Sequence, residues 1–235
     1  MQKPHTIAIM QPTYLPWIGY FDLIDQVDCF VFLDSVQFNK RSWQQRNKIK
    51  GSGGAMWCTI PVITKGRRDQ LICDVEVDQS QEFQIKHIKT VQYNYEKAEY
   101  ADPFLEEFSL ILDKRHELLA DLNIELINWL CGCFGIRAEF IRSSSLAANG
   151  KKTDLLVQIC KELDARCYLS ALGSKEYIEE NNMFHPNDIE LRYHSYEHPE
   201  YNQLHGTFES HLSALDLLLN KGASGLSVIR SGRGR

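Results

Sequence analysis

Residues 9–21 read IMQPTYLPWIGYF and decide the fold. The pattern predicts a short apolar strand, a loop stiffened by Pro12 and Pro16, and a helix that starts at once. In open α/β sheets, the loop after the first strand is where ligands bind, and free amides at a helix start attract phosphate. A rigid turn whose aromatic residues fill the core is the alternative interpretation. The predicted substrate-binding residues here are Gln11, Tyr14, Gly19 and Tyr20.

The segment that follows the second predicted strand (28–34) mixes cations, amides and aromatic residues densely. Asp34 ends that strand, where a carboxylate can accept a hydrogen bond from a ribose or take a proton from an amine. Guanidinium groups suit phosphate or carboxylate, and an indole ring offers a face for stacking a base or a sugar. A solvated charged loop is the alternative. The predicted substrate-binding residues here are Gln37, Lys40, Arg41, Trp43, Arg46 and Lys48.

Serine and lysine residues follow two later predicted strands, 138–142 and 166–170. The carboxyl ends of parallel strands share one edge of a sheet, so these residues are expected beside the first loop. Hydroxyl groups with lysines nearby can hold phosphate, although serine clusters also cap helices. We predict substrate-binding roles for Ser143, Lys152, Ser170 and Ser174, and a catalytic role for Lys175.

Residues 194–206 form a polar loop rich in histidine, which we expect to pack over the mouth of the site. The spacing of its histidines fits no common metal site, so no bound metal is predicted. His198 is a candidate general base beside Asp34, since imidazole titrates near neutral pH. Tyr201 and Gln203 are predicted to bind substrate.

The predicted fold is a single Rossmann-like, doubly wound α/β domain over 1–235, because strands alternate with helices along the chain. Its mainly parallel five-stranded sheet uses strands at 5–11, 28–34, 138–142, 166–170 and 189–193. An insertion at 50–135 is predicted to hold a β-hairpin (55–62 and 72–77) and three helices. The predicted helices cover 19–26, 81–95, 103–113, 117–134, 152–164, 174–181 and 211–220. Residues 231–235 are predicted to be a frayed tail.

The composition narrows the class of protein. A net charge of −5 argues against a nucleic-acid binder. We expect no membrane span, because no run of 18 apolar residues occurs, and no secretory signal at the start of the chain. Seven cysteines in apolar contexts are typical of reduced thiols, so a cytoplasmic location is expected. The oligomeric state stays open, a homodimer included.

Several of these strings together resemble the WbqC-like family of bacterial proteins, found among genes for O-antigen and other surface polysaccharides. The resemblance covers nearly the whole chain. It implies transfer of glycine or a similar acyl group from a small carboxylate donor to a nucleotide-linked amino sugar. The strings are QPTYLPWIGYF (11–21), FLDSVQF (32–38), WQQRNKI (43–49), YLS (168–170), HPEYNQ (198–203) and LSALDLLLNKG (212–222).

A looser likeness concerns mechanism. Trp17-Ile-Gly-Tyr20 at a predicted helix start is similar to the His-Ile-Gly-His signature of adenylate-forming nucleotidyltransferase-like folds, and Gly173-Ser-Lys175 to their second phosphate loop. This likeness implies ATP and Mg²⁺ as the means of activating the carboxylate. Trp17 and Tyr20 stand where that signature has histidines. A non-catalytic protein that binds a nucleotide or nucleotide-sugar is therefore the alternative function.

Overall fold

The computed structural model describes residues 5–175, 178 and 183–234 of the chain. Among the described helices, none combines the length and the apolar character that crossing a membrane requires. The strands are β1 (Thr6–Met10), β2 (Cys29–Phe32), β3 (Arg46–Gly51), β4 (Gly54–Thr59), β5 (Glu139–Arg142), β6 (Cys167–Ala171) and β7 (Glu190–His194). The helices are α1 (Ile18–Asp25), α2 (Phe83–Tyr95), α3 (Ala101–Asp113), α4 (Leu119–Phe134), α5 (Thr153–Glu162), α6 (Ala214–Lys221) and α7 (Gly225–Ser231). The predicted helix 174–181 falls largely outside the described residues.

Five strands form one parallel sheet in the order β5-β2-β1-β6-β7, which confirms the predicted architecture. Strand β1 pairs with β2 on one side, with Ile7 opposite Cys29, and with β6 on the other, with Ile7 opposite Tyr168. The chain leaves β1 toward β2 and returns later to β6. The order therefore reverses between β1 and β6, and the carboxyl ends of these two strands form the switch point of the sheet.

Helices cover both faces of the sheet, because side chains alternate along its buried strands. On one face Ile7 and Ile9 pack with Ile159 of α5. On the other, Ala8 and Phe30 belong to a larger core built with α1, α4 and α6. The sheet is therefore doubly wound, as the alternation of strands and helices predicts.

The hairpin inserted after β2 differs from the prediction. Strand β3 pairs in antiparallel register with β4, whereas residues 72–77 form a short 3₁₀ turn (Ile72–Asp74) and isolated bridges. The charged sequence of β3, RNKIKG, has little intrinsic strand preference. Its conformation depends on its partner β4 and on contacts with α2 and α6.

The end of the chain is packed, which corrects the predicted frayed tail. Arg233 donates from Nε to Asp22 Oδ1 at 2.7 Å, and the Gly234 amide donates to the Ser195 carbonyl at 3.0 Å. Asp22 is fully buried in α1 and also contacts His194 at the end of β7. These bonds fix α1 against the end of β7 and the C-terminal segment.

Tyr14 is a core residue, contrary to its predicted ligand-binding role. Its hydroxyl lies 2.8 Å from His87 Nδ1 of α2, and both side chains are buried. Burial lowers the pKa of His87 from its usual 6.5 to about 4. The imidazole is therefore neutral in the folded protein at pH 7.

We expect acid to destabilise the fold through His87. The unfolded chain takes up a proton near pH 6.5 and the folded chain only near pH 4, so stability is full above pH 6.5 and falls as the pH drops toward 4. The expected loss is about 3 kcal/mol in unfolding free energy. Urea unfolding at pH 7.0, 5.5 and 4.5, followed by circular dichroism, measures it. A His87→Gln variant that loses as much stability over this interval as the wild type would contradict the assignment.

Candidate functional site

A cleft lies at the switch point of the sheet, where loop 11–17 leaves β1. It has two adjoining halves, of about 340 and 290 Å³, which share Met10, Thr13 and Trp43. The half toward α1 is completed by Pro16, Trp17, Tyr20, Asn47 and His211. The half over the sheet is completed by Ile9, Gln11, Leu33, Ser42, Gln44, Leu156, Tyr168 and Ser174. Its place is where ligands bind in doubly wound sheets.

A larger depression, of about 1060 Å³, lies at the opposite edge of the sheet near His5, Asp28 and Arg166. These residues stand at the amino ends of strands and in the turns that precede them. Ligands of open α/β sheets bind outside the carboxyl ends of the strands, so we assign the candidate site to the cleft.

The described lining of the cleft is aromatic, amide and hydroxyl in character. It contains no lysine, arginine, aspartate or glutamate among the residues that the structure describes, and His211 is its one imidazole. Such a lining can hydrogen-bond a ligand and pack against it, but it does not neutralise a charge. The predicted residues that it includes are Gln11, Tyr20, Trp43 and Ser174.

Backbone and amide hydrogen bonds fix the two loops that form the cleft. The Tyr14 amide donates to the Trp43 carbonyl at 2.9 Å. Asn123, fully buried in α4, donates to the Gln44 carbonyl at 2.7 Å and to the Pro12 carbonyl at 3.2 Å. Because these groups leave their loops little freedom, the walls of the cleft are preorganised for a ligand.

Three ring side chains contact one another at the α1 end of the cleft. The Trp17 ring stacks on His211, with centroids 5.0 Å apart, and on His198 at 5.9 Å. The two imidazole centroids lie 4.9 Å apart. His211 lines the cleft, whereas His198 lies behind it. This cluster places an imidazole at the site, although not through the residue that the sequence predicts as general base.

His198 has a defined protonation state. Its Nδ1 lies 2.9 Å from the Pro199 carbonyl, which can only accept, so Nδ1 carries the proton and Nε2 the lone pair. Burial lowers the pKa of His198, with the neighbouring His211 adding to the effect. Its Nε2 is buried without a hydrogen-bond partner among the described residues. His198 is thus a neutral ring that supports His211.

Gly19 is required by the Trp17 ring. A Cβ at this position would lie 2.3, 2.5 and 2.7 Å from three ring carbons of Trp17. The ring also packs against His198 and His211, and it cannot move aside without breaking those contacts. The indole therefore occupies the space that a ligand or a phosphate would need at the start of α1.

We expect Gly19→Ala to lower the unfolding free energy by about 1–3 kcal/mol, the usual cost of overpacking. Urea unfolding measures the loss. Gly132→Ala in α4 is the matched control, because nothing lies within 4 Å of its added Cβ. That control should be neutral or stabilised by about 0.4–1 kcal/mol. Equal behaviour of the two variants would contradict the close packing of Trp17 on Gly19.

Two exposed tryptophans and two cations form a surface next to the cleft, which we name the tryptophan surface (Trp43, Arg46, Lys48 and Trp57). Trp43 and Trp57 are 52% and 46% exposed, with ring centroids 5.5 Å apart. Arg46 Cζ lies 4.4 Å and Lys48 Nζ 5.0 Å from the centroid of Trp57. Trp43 belongs to both the surface and the cleft. The predicted cations are therefore near the site, but outside its lining.

Asp34 has a structural role: it holds two strand ends together. This corrects its predicted role as a base. The carboxylate is fully buried and accepts hydrogen bonds from Arg142 Nε (2.6 Å) and from the amide and hydroxyl of Ser144 (both 2.9 Å). Ser143, predicted to bind substrate, donates to the same carboxylate and accepts from the amides of Asp34 and Ser35. These bonds join the carboxyl ends of β2 and β5.

Tyr201 and Gln203 belong to a buried network rather than to the cleft. Tyr201 donates to Asp216 Oδ2 at 2.8 Å, and Gln203 Oε1 accepts from the buried Lys50 ammonium at 3.0 Å. Burial raises the pKa of Asp216. Both predicted residues therefore anchor the histidine-rich loop to α6 and β3.

Several other predicted residues lie away from the cleft lining. Gln37 contacts Asp69 and Lys40 contacts Thr64, both in the exposed segment after β4. Lys175 lies over the Tyr193 ring of β7, at 5.5 Å. The remaining ones are Arg41 and Lys152, both exposed, and Ser170, fully buried in β6.

Sequence reasoning missed several residues of the site. Thr13 lies in the string 11–21, Asn47 in the string 43–49 and Trp57 in the predicted strand 55–62. Nothing in their spacing indicates that they come together at the cleft and the tryptophan surface. His211 follows the histidine-rich loop by five residues, and its proximity to that loop is the one available signal. From the sequence, Trp17 is either a core aromatic residue or a departure from a signature, whereas in the structure it is the centre of the aromatic cluster.

The fold is that of a doubly wound α/β protein, and the cleft at its switch point is the candidate small-molecule site. The sequence profile of the WbqC-like protein family matches residues 11–228, and the chain belongs to that family. It is 35% identical over 226 residues to "Uncharacterized protein Rv1507c" of Mycobacterium tuberculosis (strain ATCC 25618 / H37Rv), a match that covers 95% of this chain and 97% of the relative. No solved structure gives a significant match to the chain.

Proposed function

We propose that this protein modifies an amino sugar for a surface polysaccharide, transferring glycine or a similar acyl group to the amine of a nucleotide-linked sugar. Membership of the WbqC-like family supports the biological setting. The observation that carries the proposal is Trp43, which joins an uncharged, aromatic cleft to a surface with two cations. A nucleotide-linked sugar has the same division into an uncharged ring and charged phosphates.

In this proposal His211 accepts the proton that the amine releases. The amine nitrogen attacks the acyl carbon of the activated donor, the carbon–nitrogen bond forms, and the donor's leaving group departs. His211 is placed for the proton because it lines the cleft. Trp17 stacks on its ring and His198 packs against it at a tilt of 44°, so both act as positioning residues.

The use of ATP and Mg²⁺ stays a prediction, which rests on the likeness to adenylate-forming nucleotidyltransferase-like folds. The described lining of the cleft supplies neither a carboxylate for a metal ion nor a cation for a triphosphate. The lining of the cleft therefore does not fit that pair, and we assign no step to it. An acyl donor activated by another enzyme is compatible with this lining.

Mass spectrometry of reaction mixtures tests the proposal. The purified protein is incubated with a panel of nucleotide-linked amino sugars and glycine, with and without ATP and Mg²⁺, and with glycyl thioester as a preactivated donor. We expect a new amide on one sugar, and AMP only if adenylation occurs. Trp43→Ala should lose most of the product, whereas Trp129→Phe, which changes a tryptophan packed against Phe108 between α3 and α4, should keep it.

A binding protein without catalysis is the second candidate. The observation that favours it is the lining itself, which offers a single imidazole among the described residues and no carboxylate or lysine. Tight binding of a nucleotide-linked sugar, with no amide formed from any donor, would establish this function and overturn the transferase.

A further inference from the structure

We propose that the cleft and the tryptophan surface divide one substrate between them. The cleft takes the uncharged sugar ring, and the tryptophan surface takes the phosphates of the nucleotide. This division rests on the proposed function only in taking a nucleotide-linked sugar as the ligand. It reverses the expectation that the phosphates sit at the start of α1.

The start of α1 is closed to a phosphate. Ile18 and Gly19 are buried, and the indole of Trp17 lies across Gly19. The Pro16 carbonyl just before the helix accepts a hydrogen bond from the Ala214 amide at 2.7 Å. The first turn therefore packs against its own tryptophan and against α6, and its amides are not presented to the cleft.

The cleft suits an uncharged, hydroxyl-rich ring. A phosphate inside it would lose water without gaining a cation from the described lining, which is costly. A sugar needs hydrogen bonds from amides and hydroxyls, and flat apolar faces for its carbon–hydrogen surface. The cleft offers both: Thr13 lies where its two halves join, and the rings of Trp17, Tyr20 and Trp43 form its walls.

The tryptophan surface suits phosphate. Arg46 and Lys48 flank one indole, and within the described part of the chain neither makes an ion pair with a carboxylate. A guanidinium binds two phosphate oxygens at once, and a lysine nearby adds a point charge. Trp43 is a wall of the cleft and its ring centroid lies 5.5 Å from that of Trp57, so the two sites adjoin and one ligand can contact both.

Ligand-observed NMR and calorimetry test the division without any turnover. UDP serves as the phosphate probe and N-acetylglucosamine as the sugar probe. We expect the double variant Arg46→Gln/Lys48→Gln to weaken UDP binding by about 10- to 100-fold, the loss usual for charged hydrogen bonds. Its affinity for N-acetylglucosamine should be unchanged. Lys65→Gln/Arg68→Gln makes the same change of charge on an exposed loop and should weaken neither probe.

The reciprocal variant closes the cleft. Thr13→Phe should abolish saturation transfer to N-acetylglucosamine and leave the dissociation constant for UDP within about twofold of the wild-type value. Thr13→Ser keeps the hydroxyl and should bind both probes. Circular dichroism shows whether Thr13→Phe is folded; if it is not, the smaller Thr13→Leu replaces it in the sugar arm. The division would be overturned if the cleft variant no longer bound UDP, or if UDP binding were unaffected by the loss of both cations. It would also be overturned if the wild-type protein bound neither probe. The acylation assay decides the proposed function separately, since probes can divide in this way on a protein that transfers nothing.

Discussion

A His211→Gly variant is expected to transfer the acyl group about 10²–10⁴ times more slowly than the wild type, the range that a positioned general base contributes. His211 has a φ of 59°, a conformation that glycine adopts readily, so the backbone should keep its path. Imidazole added to the buffer should restore part of the lost rate. Steady-state kinetics by mass spectrometry, with and without imidazole, measure both effects.

The control for this experiment is His205→Gly. This exposed histidine also has a positive φ of 62°, and its Nε2 lies 2.8 Å from the Asn94 carbonyl, away from the cleft. Its loss should leave kcat within about twofold, and imidazole should have no effect. A His211→Gly enzyme that is slow but insensitive to imidazole would show that the ring has a structural role only.

Asp34→Ala is expected to lower the unfolding free energy by about 3–5 kcal/mol, the usual result of removing one partner from a buried ion pair. The carboxylate is fully buried and bonded to Arg142, Ser143 and Ser144. Its removal leaves the Arg142 Nε and the Ser144 amide without this acceptor. Urea unfolding at pH 7 measures the change.

Asp121→Ala is the matched control, because Asp121 binds the same arginine at the same distance of 2.6 Å. Its side chain is 41% exposed, against 0% for Asp34. Solvent screens the exposed pair, so its loss should cost less than about 1 kcal/mol. Equal losses for the two variants would show that burial does not set the strength of this cluster.

The centre of the sheet is predictable from the sequence because its inner strands are apolar runs that helices cover on both faces, such as Cys29–Phe32. The hairpin is not, because Arg46–Gly51 becomes a strand only beside Gly54–Thr59. Residues 72–77 alternate like a strand but find no continuous partner, so the local pattern there is misleading. Pairing between strands depends on contacts that local pattern does not encode.

The cleft at the switch point can be anticipated from the sequence for a related reason, whereas the contacts of the individual residues cannot. The switch-point rule places ligands after β1, and Gln11, Tyr20, Trp43 and Ser174 do line the cleft. The role of Asp34, however, is set by serines and an arginine 108 to 110 positions further along the chain. The sequence does not show whether a carboxylate at a strand end contacts a ligand or bonds other residues of the protein.

Trp17, Trp43 and Trp57 surround the site, and the chain has four tryptophans in all. The fourth, Trp129, donates its indole N–H to Glu107 in the helical layer. The intrinsic fluorescence of this protein therefore comes mostly from rings that a ligand would touch. Emission intensity should therefore respond to occupancy without any attached dye.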